Sequence, residues 1–173
     1  MSPVGALECR PGELPIEFLG VPGMAHTYTQ LLYHIVFSTK ERVPFLDAEL
    51  RPRMVAYLGG IVRELRGHAL AVRGVGDHVH ALISLPPNVS VSEVLRIVKA
   101  NSSRWVHETW PQRSDFAWQT GYSAFTVSQL NRDVVLRYIA QQEENHRTIS
   151  CQDEVRQMLK RHGIEFDERY LWD

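Results

Sequence analysis

The chain has only two cysteines, Cys9 and Cys151, far apart and without CxxC or zinc-finger spacing. That excludes a disulfide-built scaffold and a zinc ribbon; one bridge is open in principle, but a reduced, cytoplasmic protein is expected. No apolar run approaches the roughly 20 residues that a bilayer requires. The opening stretch MSPVGALECRPGELPIEFLG has no basic head followed by a long apolar segment, so neither a membrane span nor a secretory signal is expected. Neither sign of charge is in excess, with 19 basic against 20 acidic residues. Glu8, Glu13 and Glu17 against Arg10 make the first 23 residues net −2, leaving +1 for the rest. Any nucleic-acid binding must therefore come from a local basic face. A Gly-rich phosphate loop, a Ser-His-Asp order and an HExxH helix are also missing, which removes the common nucleotide, serine-hydrolase and zincin chemistries.

What is present fits one globular domain: 173 residues, 44% hydrophobic and 23% charged. Residues 1–23 hold four of the nine prolines, with Gly5, Gly12, Gly20 and Gly23 and no periodicity. They are expected to form a disordered extension, with Met24 as an alternative start and residues 24–173 as the domain. Tyr28 to Ser38 reads as a strand buried in part on both faces. Asp47 is a plausible N-cap for a helix to about Arg66, stopped by Gly67, with Gly59-Gly60 marking weakness or close packing. Ala69–Val75 and His78–Leu85 read as two strands joined by a Gly76-Asp77 turn. Ser90 with Glu93 forms a capping box for a helix to about Glu108. A short strand at Tyr122–Val127 precedes a helix to about Arg147, and a last helix runs from Ser150 to Gly163. The order β-α-β-β-α-β-α-α predicts an α+β, ferredoxin-like sandwich: an antiparallel sheet with helices on one face and added C-terminal helices.

Three groups of residues can carry chemistry. Strand alternation sets His78 and His80 side by side with Val79 in the core, a pair of metal ligands, although HxH alone is weak evidence among eight histidines. Tyr138 and Gln142, four apart on a helix, share a face and offer a nucleophile and an amide oxygen; half-buried packing is the commoner role of such a tyrosine. Arg96, Lys99, Asn101, Ser102, Ser103 and Arg104 can bind phosphates, and Trp105, Trp110 and Trp118 can stack bases. A solvated face and core tryptophans are the bland alternative, favoured for the tryptophans.

Together, HIVFSTK, GDHVHALISLPP, SVSEVLRIVKANSSRW, WQTGYSAFTVS and RYIAQQEENHR resemble the HUH-type single-tyrosine transposases of bacterial insertion sequences, a group that includes the REP-associated tyrosine transposases. The resemblance runs from about Met24 to Asp173. It implies that His78 and His80 are the paired metal ligands, Tyr138 the nucleophile and Gln142 the third ligand, preferred over Gln141 by its spacing from Tyr138. It implies Mg²⁺ or Mn²⁺, with the nitrogen donors favouring Mn²⁺. The implied activity is cleavage and rejoining of single-stranded DNA at hairpin ends through a 5′-phosphotyrosine, in DNA transposition. It also implies a homodimer in which one tyrosine helix can complete the other subunit's site; the first strand is a candidate pairing edge. The alternatives are a domesticated DNA-hairpin-binding protein without transposition activity, an RNA-binding ferredoxin-like module, and a zinc hydrolase recruiting His146.

Overall fold

The run LYHIVFS is apolar or small at nearly every position, the pattern of a strand covered on both faces, and it forms β1 (Leu32–Ser38). The computed structural model describes residues 28–146, 149–169 and 171, so the expected extension over residues 1–23 and the Met24 start lie outside the described residues. Helix α1 (Leu50–Glu64) starts where expected. The Asp47 carboxylate accepts the backbone N–H groups of Leu50 at 2.8 Å and Glu49 at 3.1 Å. Its stop involves two residues: Arg66 takes the left-handed conformation at φ 60°. The Arg66 N–H then closes on the Arg63 carbonyl and the Gly67 N–H on the Val62 carbonyl, a Schellman ending.

Gly67 is needed for space. A Cβ there would lie 2.9 Å from the Ser84 carbonyl oxygen and 3.1 Å from the side chains of Leu85 and Val62. Gly67→Ala is expected to cost about 1–3 kcal/mol by overpacking, read as a lower urea midpoint. An unchanged midpoint would contradict that tightness.

Strands β2 (His68–Val75) and β3 (His78–Ser84) form a hairpin in which Val75 faces His78 across the Gly76-Asp77 turn. Gly59 and Gly60 leave α1 unbroken, and Gly59 is buried against Ala69 of β2. Helix α2 (Val91–Thr109) is capped by the Ser90 hydroxyl, which accepts the Glu93 N–H at 3.2 Å. The Glu93 carboxylate pairs with Arg96 instead of closing the box. β4 (Ser123–Val127), α3 (Arg132–Ala140), α4 (Gln142–Asn145) and α5 (Cys151–Arg161) follow.

The sheet order is β2-β3-β1-β4 with every neighbouring pair antiparallel, the ferredoxin-like arrangement. β1 is therefore interior and paired on both sides, which corrects the expectation that it is a pairing edge; a near-continuous apolar strand needs cover on both flanks. The outer strands are β2 and β4. One sheet face carries Ile35, Phe37, Val79 and Ile83 into the main core with α1 and α2. The other carries Leu32, His34, Val36, Ser38, His78 and His80. Ile139 of α3 and Val155, Met158 and Leu159 of α5 cover it. Trp110 and Trp118 are core residues and Trp105 stacks on Tyr57 at 4.4 Å, the packing role rather than base stacking. Among the described residues no helix is long and apolar enough to cross a membrane.

Candidate functional site

Alternation along β3 sends Val79 into the main core and His78 and His80 to the opposite face, each only 1% exposed. Their backing groups fix which nitrogen faces inward. His78 Nδ1 lies 2.6 Å from an Asp77 oxygen, and Arg42 holds the other Asp77 oxygen at 2.7 Å. Burial pushes the Asp77 carboxyl up, but His78 and Arg42 outweigh it and hold the group at about 2. An ionised Asp77 accepts the Nδ1–H of His78, which leaves Nε2 with its lone pair free of the proton. His80 Nδ1 lies 3.1 Å from His34 Nε2. Burial and the neighbouring His80 lower His34 to about 3, so it is neutral and can accept the Nδ1–H of His80. His80 Nε2 then points into the site, where it is buried without a hydrogen-bond partner among the described residues.

The tyrosine segment differs from the single helix expected. The chain leaves helical geometry at Gln141 (φ −95°, ψ 14°), whose N–H reaches both the Arg137 and Tyr138 carbonyls, and α4 follows as a separate turn. Gln141 is exposed while Gln142 is buried, so the inward glutamine is the one that four-residue spacing selects. Gln142 Nε2 donates to Glu154 Oε1 at 3.0 Å, and its own Oε1 is buried with no hydrogen-bond partner among the described residues. The Tyr138 hydroxyl donates to the same Glu154 oxygen. Burial, then Glu154, hold the Tyr138 phenol above its ordinary value.

Glu154 was not among the residues that the sequence singles out. The Ser150 hydroxyl caps α5 by accepting the Asp153 N–H at 3.1 Å. The buried stripe of α5 is Cys151, Glu154, Val155, Met158 and Leu159, helical spacing with one carboxylate on an otherwise apolar face. That misplaced charge is the signal in the sequence. Glu154 Oε2 lies 3.0 Å from His146 Nε2, 3.4 Å from His80 Nε2 and 4.0 Å from His78 Nε2. His78 and His146 approach at 2.9 Å through their Nε2 atoms. Burial pushes Glu154 up, but His146, His80 and Tyr138 overcome it and hold the carboxyl well below the usual range. A cleft lined by Tyr138, His146, Glu154, Gln157 and Arg161 borders this cluster.

The ligand atoms of His78, His80, His146 and Glu154 all lie within 4.8 Å of one another. Donors about 2.1 Å from a common ion sit roughly 3–4 Å apart, a range met by the 2.9, 3.0, 3.4 and 4.0 Å separations within the cluster. His80 Nε2 and Glu154 Oε2, which make no hydrogen bond among the described residues, are atoms that such an ion would satisfy. The donor set fits a divalent cation.

The residues expected to contact DNA lie elsewhere. Arg96, Lys99, Ser102, Ser103 and Arg104 belong to α2, whose core contacts are on the sheet face opposite His78 and His80. Arg96 and Arg104 are exposed. Lys99 spans the carbonyls of Gln119, Thr120 and Gly121 at 2.9, 3.2 and 2.6 Å. Ser102 is fully buried: its hydroxyl donates to the Val98 carbonyl at 2.6 Å and accepts from Trp118 Nε1 at 2.8 Å, out of reach of a phosphate.

Residues 27–142 match the family described as "Transposase IS200 like". The chain is 26% identical over 136 residues to the ISDra2 transposase TnpA of Deinococcus radiodurans, covering 76% of this chain and 95% of that one. It is 30% identical over 126 residues to the transposase for insertion sequence element IS200 of Salmonella typhimurium, covering 70% of this chain and 82% of the relative. Two solved structures share the fold. One, described as a transposase from Deinococcus radiodurans, has a TM-score of 0.57 at 24% identity over 71% of this chain and 98% of its own. The other, a REP-associated tyrosine transposase bound to a REP hairpin, has a TM-score of 0.53 at 14% identity, covering 73% and 74%. The family match ends at Gln142, so His146 and α5 lie beyond it.

Proposed function

Because the chain belongs to the IS200-like transposase family, we propose that it cleaves and rejoins single-stranded DNA, with Tyr138 as nucleophile and His78, His80 and Gln142 holding a divalent metal. The observation that carries this reading is the convergence of Tyr138, Gln142 and the histidine pair on one buried carboxylate, Glu154.

A phosphodiester resists attack because its anionic oxygens repel the nucleophile and charge builds in the transition state. Bound Mg²⁺ or Mn²⁺ would supply Lewis-acid polarisation of a non-bridging oxygen. The chain's own residues do the rest. Asp77 and His34 keep the inward nitrogens of His78 and His80 bare, and Glu154 orients the Tyr138 phenol. The Tyr138 oxygen bonds to phosphorus, its proton leaves to water, and the P–O3′ bond breaks. The departing 3′ oxygen takes a proton from water and leaves a 5′-phosphotyrosine. A second strand's 3′-hydroxyl then attacks the same phosphorus, losing its proton to water, and expels the Tyr138 oxygen, which takes a proton from water, so one phosphoester is exchanged for another without ATP.

Hairpin ends of an element are the proposed substrate, in keeping with the REP hairpin held by one structural neighbour. A hairpin-binding protein without strand transfer would not need this tyrosine, glutamine and histidine pair gathered at one carboxylate. The test is whether the purified chain, given Mn²⁺ and a labelled single-stranded hairpin oligonucleotide, becomes covalently attached to the labelled 5′-phosphate side.

The same reading includes a homodimer, for which β2 and β4 are the available sheet edges. Static light scattering is expected to give twice the chain mass of 19.9 kDa. A monomer with and without DNA would sink the dimer.

A further inference from the structure

We propose that His146 and Glu154, outside the segment that matches the family, are ligands of the same cation as His78 and His80, and that the site is a three-histidine, one-carboxylate centre built within one chain. The inference rests on the reading of His78 and His80 as metal ligands. It adds two donors and states which ions the centre prefers.

The geometry is that of a ligand shell. The Nε2 atoms of His78 and His146 are 2.9 Å apart, and Glu154 Oε2 stands 3.0 Å from His146 and 3.4 Å from His80. Those separations match pairs of donors around one ion. Packing two bare imidazole nitrogens that close is unfavourable unless a proton or a cation lies between them. Asp77 takes the Nδ1–H of His78, which turns that ring's lone pair inward, and His34 against Nδ1 of His80 allows the same of the second ring. Glu154 is 5% exposed and its Oε2 has no hydrogen-bond partner among the described residues. A carboxylate on the apolar stripe of α5 is unfavourable unless it is paired or coordinates a metal.

The two oxygens of Glu154 divide the work. Oε2 faces the three imidazoles, while Oε1 accepts from the Tyr138 hydroxyl and Gln142 Nε2. One carboxylate thereby ties the cation to the nucleophile. In this four-ligand centre Glu154 takes the place proposed above for Gln142, which positions Glu154 through its Nε2.

Three imidazoles and one carboxylate suit Mn²⁺ and, more strongly, Zn²⁺, whereas Mg²⁺ prefers an all-oxygen, octahedral shell. Isothermal titration of the purified full chain is expected to give one site per chain, with affinity rising from Mg²⁺ through Mn²⁺ to Zn²⁺. Glu154→Gln and His146→Asn should each weaken Mn²⁺ binding by about 100-fold or more, since losing even a group that only supports a ligand costs roughly 10–100-fold. Wild-type Mn²⁺ affinity in both folded variants, with binding lost in His78→Ala, would overturn the four-ligand centre and leave the histidine pair standing. Binding retained in His78→Ala would overturn the histidine reading itself. X-ray absorption on the Zn²⁺-loaded wild type needs no variant: three imidazoles per ion support the inference, and two overturn it.

Discussion

Tyr138→Phe is expected to abolish covalent attachment to DNA while DNA binding persists. The substitution removes only the hydroxyl. The ring keeps its edge contacts with His34 and His80, at centroid distances of 6.0 and 6.2 Å, and Glu154 keeps its bond from Gln142. Loss of one hydrogen bond changes stability by about 1 kcal/mol, too little to unfold the domain. Removing a nucleophile that acts as part of a unit lowers turnover by roughly 10⁴-fold or more. A denaturing gel of protein with end-labelled hairpin DNA reads the adduct, and a mobility-shift assay reads binding. Undiminished adduct in the variant would remove Tyr138 from its role; loss of both signals would point to a structural one.

The second large effect is expected from His78→Ala combined with His80→Ala. Both rings are buried, His78 against Asp77 and His80 against His34, while the apolar core of that hairpin is served by Val79, Ala81 and Ile83. Deleting them removes two donors at once and leaves the nucleophile in place. Cleavage should fall on the order of 10³-fold, the loss of a main stabiliser of transition-state charge. EDTA should impose a loss of similar size on the wild type, and the double variant should not respond to added Mn²⁺. Cleavage by the double variant that still climbs with Mn²⁺ would contradict the site.

Much of this arrangement was legible in the sequence because it is local. Period-2 alternation separates His78 and His80 from Val79, and four-residue spacing prefers Gln142 to Gln141; neither requires knowing what packs above. The ferredoxin-like order follows from the element sequence and its short hairpin. Glu154 was illegible for the opposite reason. Its partners are contacts between a C-terminal helix and a central strand, and no local period links Glu154 to His80. The only local trace is a carboxylate on an apolar stripe, which single sequences also show at surface boundaries. Helix α2 shows the same limit of local reading: its polar residues read as one phosphate-binding face, yet Ser102 is consumed by Trp118 and Val98, and Lys99 reaches three carbonyls. β1 looked like an available edge because pairing on both sides is decided by topology.

The central claim is that Tyr138 takes the DNA strand onto itself. The most direct measurement is tandem mass spectrometry of the peptide–nucleotide linkage formed when the wild-type chain, with Mn²⁺, meets single-stranded hairpin oligonucleotides drawn from the DNA on either side of its gene. A 5′-phosphate ester on Tyr138 is predicted. A nucleotide linked to any other residue, or cleavage that leaves no linkage at any time point, would contradict the account.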